Sequence, residues 1–399
     1  MLNSTCDTKT QLSINSGDVI KESKIPKKQI YDTKMYKYIS KIPVLFILFT
    51  LLFYVFMITY YYIIPKLSNK KINKNAISVP SLGKCYAIFL IIIIILTTFS
   101  FLLTWFTKCE KIPYNSIFTL DSMDKMNPQQ KIEYIALKSA DLEEMLNKNY
   151  NRIPKIKNFN MSNNIKKNNI SNEDYYIIND RTEEGEVRFC YTCNKFKPDR
   201  CHHCKFCGTC YLKMDHHCIW FDNCVTITNY KYFICSVLYC FILLICFLCI
   251  FSPLFKNILK KEYKIEIHIS TIKAIIFTII YFITILYTIF LGILFIFHIM
   301  LVCSNYTTFE YNIIHKDYTF FPKQRYSIVK NDGNINIDTY KSLKSKYDIG
   351  VWKNWIQVYG KNPLLWFLPI RSEFRENGFN NGINFEQNDD ETLETICSV

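Results

Sequence analysis

The sequence predicts an α-helical polytopic membrane protein, with four transmembrane helices and a metal-binding, cysteine-rich segment between the second and the third. Three observations carry that expectation. Four long runs of the chain are almost free of charge. Eight cysteines and four histidines crowd into the 35 residues from Cys190 to Cys224. Tyr232, at the start of the third apolar run, comes only 14 residues after Cys218, so the cluster is held against the bilayer.

The runs set the architecture. Half of the 399 residues are hydrophobic, and they concentrate in residues 42–64, 85–106, 231–255 and 274–303. A helix needs about 20 apolar residues to cross a hydrocarbon core of about 30 Å, and all four qualify. Helices buried in a soluble core would show a polar face every three or four residues, which these do not. The first run starts too far from Met1, and is too long, for a cleaved signal peptide.

Four spans put the N-terminal tail (1–41), the cysteine-rich segment and the C-terminal region (304–399) on one side. The loops 65–84 and 256–273 lie on the other. Each loop carries five lysines, so the positive-inside rule separates the sides only weakly. Redox chemistry separates them better: thiolates and zinc–thiolate sites persist in the cytosol, whereas an oxidising lumen favours disulfides. The cysteine-rich segment and both termini are therefore expected in the cytosol, and the two loops in a lumen. The membrane itself can be endomembrane (Golgi or ER), a specialised organelle or the plasma membrane. The net charge of +14 reads as attraction to anionic lipid surfaces, with no clustered footprint that would argue for nucleic acid.

The remaining stretches read as scaffold. Residues 1–41 are polar and Ser/Lys-rich. Residues 107–187 carry the Asn/Lys/Ile bias common in AT-rich genomes, and are expected as a cytosolic low-complexity insertion that buries too little apolar surface to order itself. The chain after Glu373 reads as another loose tail. The closing Cys397-Ser398-Val399 is too short for a prenylation box.

The cluster offers twelve donors, and tetrahedral zinc takes four. Cys-x-x-Cys recurs at Cys190/Cys193, Cys204/Cys207 and Cys207/Cys210, the spacing at which two thiolates of one turn reach one ion. Three full sites would consume every donor, whereas two leave four over. Adjacent histidines such as His202/His203 and His216/His217 rarely both reach one metal, so one of each pair is expected to point elsewhere. Spacing alone leaves the choice of the four open.

The stretch Cys190-x2-Cys193-x3-Lys197-Pro198-x-Arg200-x-His202-His203-Cys204-x2-Cys207-x2-Cys210-x4-Asp215-His216-His217-Cys218-x-Trp220-x2-Asn223-Cys224 resembles the cysteine-rich domain of the DHHC protein S-acyltransferases (palmitoyltransferases). The likeness covers residues 188–230, including Asn229, reaches Phe233, and extends to the four-span layout. It implies two closed, structural zinc sites: Cys190, Cys193, His203 and Cys210, and Cys204, Cys207, His217 and Cys224. His216 and Cys218 are then left for chemistry, with Cys201 and His202 spare.

The residues fit that chemistry. A thiolate, not a thiol, attacks a thioester, and an unassisted thiol titrates near pH 8.5. His216, two positions before Cys218, can take the proton, and Asp215 can hold the imidazole in the right tautomer. By resemblance, Cys218 takes a long acyl group from palmitoyl-CoA or another long-chain acyl-CoA and passes it to a cysteine of a membrane-associated protein. Trp220 is expected as a wall for the chain, and Lys197, Arg200 and His202 as contacts for CoA phosphates. Thr307-Thr308-Phe309-Glu310 resembles the family's TTxE motif, which packs on the reaction loop and would let Thr308 hydrogen-bond Asp215. Residues 347–360, with Asn354 in a structural role, resemble the element that docks on the family's membrane bundle.

Three positions depart from the family pattern: Ile219 where proline usually follows the reactive cysteine, Thr226 for a usual glycine, and Cys201 where a small residue is common. They keep alive a catalytically impaired, DHHC-like membrane scaffold as the alternative. A membrane RING-type ubiquitin ligase also uses eight ligands for two zinc ions, but it needs a closing Cys-x-x-Cys after His217, and none follows within the cluster. No recognition domain and no stable protein partner are legible. Substrate choice falls to the tails or to co-localisation.

Overall fold

A computed structural model describes residues 38–64, 84–113, 128–150, 187–260, 271–314 and 345–372, together with residues 120, 126, 180, 382, 383, 385 and 386. The expectations for residues 1–37, for most of both inter-span loops and for residues 387–399 lie outside the described residues.

A bilayer offers no partner to a bare N–H or C=O, so the apolar runs fold as helices. Helix α1 (Ile42–Ile58) has Pro43 in its first turn, where a missing N–H costs nothing, and continues as a π-helical turn, Thr59–Ile63. Helix α2 is Lys84–Phe106. Its buried Thr97, Ser100 and Thr104 hydroxyls each donate to the carbonyl four residues back, so they ask nothing of the lipid. Helix α3 (Pro128–Tyr150) follows, and then three two-stranded antiparallel hairpins. These are β1 (Phe189–Cys190) with β2 (Lys195–Phe196), β3 (His202–Cys204) with β4 (Thr209–Tyr211), and β5 (Met214–Cys218) with β6 (Asn223–Thr226). Helices α4 (Tyr230–Leu259) and α5 (Thr271–Cys303) complete the bundle, and α6 (Thr308–Ile314) and α7 (Val351–Tyr359) follow it.

Helices α1, α2, α4 and α5 are long and apolar enough to cross a membrane, and α4 is their hub. In its most apolar stretch 61% of the residues are buried, against 17% in α1 and in α5, so those two present most of their side chains outward. Phe49, Leu286 and Ile296 are each at least 67% exposed, which is inexpensive only in lipid. Leu90, Leu243, Phe247 and Phe251 fill the bundle core.

Part of the expected low-complexity insertion is ordered. Helix α3 lies inside it and buries Leu142 and Leu146, four residues apart, against Val187, Phe196 and Leu212 of the cysteine-rich domain. Asn and Lys dominate the composition, but a helix needs only one apolar stripe to dock. Residues 110–112 are also fixed: the Leu212 N–H donates to the Glu110 carbonyl (3.1 Å), and Ile112 is buried.

The C-terminus of α5 is closed by Asn305 in the left-handed region (φ 49°). The Tyr306 and Asn305 N–H groups return to the carbonyls of Leu301 and Val302, a Schellman ending that turns the chain back under the bundle. Asn354, buried in α7, donates to the Cys303 carbonyl (2.8 Å) and to Asp348 (2.7 Å), and accepts from the Ile349 N–H. It thereby pins residues 347–360 to the end of the fourth span.

Arg200 has a role other than the CoA contact expected for it. It is fully buried, with Nε and Nη2 on the two Glu310 carboxylate oxygens (2.8 Å each). Nη1 and Nη2 also bond Asn305, and the Tyr347 ring lies 4.4 Å from the guanidinium carbon. No donor is left facing solvent for a phosphate. Truncating one partner strands a buried charge. Arg200→Met is therefore expected to cost about 3–5 kcal/mol, read as a lower melting temperature by tryptophan fluorescence in detergent. An unchanged melt would show that the pair contributes little.

Candidate active site

The cysteine-rich domain is too small for its hairpins to hold themselves, since a lone two-stranded hairpin is marginal in water. The eight ligands expected from sequence form two groups, Cys190, Cys193, His203 and Cys210, and Cys204, Cys207, His217 and Cys224. Within each group all four ligand atoms lie within 4.8 Å of one another. In the first, His203 Nδ1 is 3.3–3.8 Å from the three sulfurs. In the second, His217 Nδ1 is 3.5–3.6 Å from its three. A tetrahedron with Zn–S of about 2.3 Å and Zn–N of about 2.0–2.1 Å has edges of roughly 3.5–3.8 Å. The donor sets fit zinc, and Cys207 Sγ to Cys224 Sγ at 3.6 Å is no disulfide. With four protein ligands each, these are closed sites whose metal would contribute folding energy and no open coordination position.

The β5–β6 hairpin separates metal from chemistry. Side chains alternate along a strand, so His217, paired with Cys224, faces one side, while His216 and Cys218 face the other. Strict alternation would send Asp215 to the metal side. A β-bulge intervenes: Met214 pairs with Thr226 and His216 with Val225, leaving Asp215 as the extra residue. Its carboxylate instead accepts from His216 Nδ1 (Oδ2, 2.7 Å).

Asp215 is buried and fully engaged. The Thr308 N–H donates to Oδ1 (2.8 Å) and the Thr308 hydroxyl to Oδ2 (2.7 Å). The other members of Thr307–Glu310 hold that threonine in place. The Thr307 N–H donates to Glu310 Oε2 (2.9 Å) and the Glu310 N–H to Thr307 Oγ1 (3.2 Å), a reciprocal capping box. Burial raises the Asp215 pKa, but hydrogen bonding to His216 and its charge, then His298 and Thr308, outweigh it and hold the carboxyl at about 2. Burial opposes charge on His216, yet hydrogen bonds to Asp215 and Cys218 raise its pKa to about 10. The site therefore favours an imidazolium between a carboxylate and a sulfur.

Cys218, Trp220 and His216 stand at the mouth of a cavity of about 410 Å³, within the range of ligand pockets. It runs between α1, α4 and α5 past Phe233, Val237 and Leu291 to Leu51, Ile283 and Tyr287, and its wall is almost wholly apolar. At the far end the Tyr54 hydroxyl bonds Thr284 Oγ1 (2.7 Å), whose own hydrogen goes to the Ile280 carbonyl. Ile219 is half exposed at the mouth. Thr226 is buried, its N–H donating to Asn229 Oδ1 (2.9 Å). Cys201 is buried in the domain core.

Two further expectations change. Burial first, then the charge of Arg188, lowers the pKa of His202 to about 3. Its neutral ring packs on Phe309 with centroids 3.9 Å apart, so it offers no charge to a phosphate. Of the three, Lys197 and His202 are half-buried and Arg200 is buried. Two neighbours of the reaction centre escaped the sequence reading. His298, buried in α5, lies with its ring 6.0 Å from that of His216 and bonds the Tyr230 hydroxyl through Nδ1 (3.1 Å). An ionisable residue inside an apolar span was the available signal.

Fold and site together define a four-span membrane protein that presents a histidine-paired cysteine, set between two zinc-type sites, to an apolar cavity. Residues 183–314 match the DHHC palmitoyltransferase family. Palmitoyltransferase ZDHHC15A of Danio rerio is 37% identical over 198 residues, 49% of this chain and 52% of that protein. Palmitoyltransferase PFA3 of Candida albicans is 29% identical over 285 residues, 66% of this chain and 69% of that protein. Probable protein S-acyltransferase 14 of Arabidopsis thaliana is 34% identical over 193 residues, 47% of this chain and 52% of its own length. The chain thus spans about half the length of the first and third. Over residues 183–314 it is similar to the DHHC palmitoyltransferase family.

The metal assignment has a direct check. Cys204→Ala is expected to lower bound zinc from two ions per chain to about one and to destabilise the domain, whereas Cys218→Ser keeps both, as elemental analysis of purified protein will show. Loss of zinc from Cys218→Ser would make Cys218 a ligand.

Proposed function

We propose that the protein is a protein S-acyltransferase that moves a long fatty acyl group from acyl-CoA, through an acyl-Cys218 intermediate, to cysteines of membrane-associated proteins. One observation carries this reading: Cys218 lies outside both metal groups, beside the His216–Asp215 pair, at the mouth of an apolar cavity. The cavity suits an aliphatic chain, and the mouth would then hold its thioester. The names of the relatives support the reaction class.

At rest the Cys218 proton already sits on His216 Nε2, as the raised pKa of that imidazole favours, and in the first half-reaction the thiolate adds to the acyl-CoA carbonyl. Collapse of the adduct expels the CoA thiolate, which takes that proton back. In the second, His216 accepts the proton of the acceptor cysteine, whose thiolate attacks acyl-Cys218 and releases the Cys218 thiol. Asp215 stays ionised and fixes the tautomer that leaves Nε2 toward the sulfur. Zinc, when bound, stiffens the hairpin that carries Cys218. The zinc domain and both termini face the cytosol, where acyl-CoA would approach and Lys197 could meet its phosphates; the side is argued from the thiolate sites.

The test is loading with an alkyne-tagged palmitoyl-CoA. Wild type is expected to carry a hydroxylamine-labile label that Cys218→Ser lacks. His216→Ala should load slowly at neutral pH and recover partly as pH rises toward about 8.5, where an unassisted thiol ionises. The sign follows from the site: the raised pKa of His216 keeps an imidazolium next to the sulfur through neutrality, and without it only hydroxide can remove the proton. Asp215→Asn should act in the same direction, more mildly. No label on wild type would favour the inactive scaffold.

The cavity floor makes a separate expectation. Tyr54→Ala removes the ring that closes the far end with Thr284, so the variant should accept longer acyl chains relative to palmitoyl than wild type does. Competition between acyl-CoAs of different length reads this out. An unchanged profile would place the length limit elsewhere.

A further inference from the structure

The proton transfers at Cys218 leave His298 without a task, although it stands beside them. An ionisable side chain inside an apolar helix is costly, and one that persists has a function and a partner to hold it. The partner here is Tyr230, at the start of α4, whose hydroxyl lies 3.1 Å from His298 Nδ1. Among the described residues neither side chain makes another hydrogen bond. A phenol hydroxyl must place its one hydrogen on an acceptor, and Nδ1 is the acceptor it meets. With Nδ1 accepting, the ring's own hydrogen is at Nε2. Tyr230 thus sets the tautomer of His298, as Asp215 sets that of His216.

The ring is also well placed. It is buried, lines the cavity together with Cys218 and His216, and has its centroid 6.0 Å from that of His216. Phe233 meets both rings edge to face, at 4.9 Å from His298 and 5.3 Å from His216, and fixes their spacing. Acyl transfer calls for a donor at this mouth. When the Cys218 thiolate bonds to the thioester carbon, the π pair of the carbonyl moves onto oxygen, and a negative charge develops against an apolar wall. His216 cannot serve it: one nitrogen donates to Asp215, and the other delivers its hydrogen to the leaving sulfur. Thr308 cannot either, since its N–H and its hydroxyl are both spent on Asp215. A preorganised neutral donor aimed at the developing charge removes the difficulty.

We infer that His298 Nε2–H donates to the thioester carbonyl oxygen and stabilises the oxyanion in both half-reactions, with Tyr230 as the residue that positions it. The hydrogen stays on His298 throughout. Collapse of each adduct re-forms the carbonyl and breaks a carbon–sulfur bond, to CoA in the first half-reaction and to Cys218 in the second. The inference rests on the acyl-transfer reading of Cys218 and deepens it, since the group recognised is the thioester carbonyl itself.

The test compares two reactions of one thiol in the purified full chain, each read at Cys218 by mass spectrometry. Alkylation by iodoacetamide needs the thiolate and access to it but forms no oxyanion, whereas loading from palmitoyl-CoA forms one. His298→Leu is expected to lower the maximal loading rate by about 100-fold or more, the loss typical of one oxyanion donor. The half-saturating palmitoyl-CoA concentration should change little, and alkylation should keep the wild-type rate. The deficit should be the same factor at every pH, unlike that of His216→Ala. His298→Gln, which returns an N–H near the place of Nε2, should recover part of the loss, and Tyr230→Phe should cost several-fold. Loading of His298→Leu at the wild-type rate would assign the oxyanion to another donor and overturn the inference alone. Equal losses in loading and alkylation overturn it as well, because His298 then shapes the thiolate or the fold. A wild type that is alkylated but never loaded overturns both this inference and the acyl-transfer reading.

Discussion

Arg200 is the constraint on which the part of the molecule outside the spans depends. A buried guanidinium costs several kcal/mol unless its donors are matched, and here they are matched by groups from distant parts of the chain. Glu310 belongs to α6, and Asn305 to the turn that ends α5. Tyr347, beside the docking element, covers the flat face. Asp180 reaches in from the other side, accepting from the Arg200 N–H (2.8 Å) while it pairs with Arg188 and Lys346. One side chain therefore registers the zinc domain against the exit of the fourth span. Glu310 has a second duty, since the carboxylate that neutralises Arg200 also caps the turn that aims Thr308 at Asp215.

The position of the Cys218 thiol over its cavity is set from the membrane side as well. Asn223 Nδ2 bonds the carbonyls of Thr104, Trp105 and Thr107, the orphan acceptors at the end of α2. Asn229, where α4 begins, bonds the Cys224 carbonyl and the Thr226 N–H. The hairpin carrying Cys218 is thus pinned to the end of one span and the start of the next. Zinc alone would keep the hairpin folded; these contacts, together with those of Thr308 to Asp215, fix where it stands.

Much of this was legible in the sequence. The four helices announced themselves by length and lack of charge, and the donor arithmetic weighed two metal sites against three. Resemblance then divided the donors as the geometry does. What was hidden has identifiable reasons. Helix α3 was masked because its apolar stripe of Ile135, Leu142 and Leu146 sits in an Asn/Lys-rich composition. Arg200 and His202 were read as exposed cations because a basic side chain in a loop is normally solvated. Their burial depends on α6 and the C-terminal element, more than 100 residues away in sequence. The bulge at Asp215 leaves no mark in a run of five residues whose alternation looks regular.

That bulge has a chemical consequence. The DHHC run needs its second histidine on the metal and its first on the sulfur, which simple strand alternation supplies. The aspartate must support the first histidine while lying next to it in sequence, which alternation forbids, and one inserted residue removes the conflict. The cost is an unpaired main-chain position and a buried carboxylate. Thr308 meets the second through two hydrogen bonds, and His216 supplies the countercharge. A carboxylate so engaged stays ionised in a low-dielectric mouth, where its field on the imidazole is far stronger than it would be in water. The metal ligand His217 and the Cys218 thiol can thus be adjacent in sequence because they stand on opposite faces of one strand, with the bulge bringing Asp215 to the side of His216.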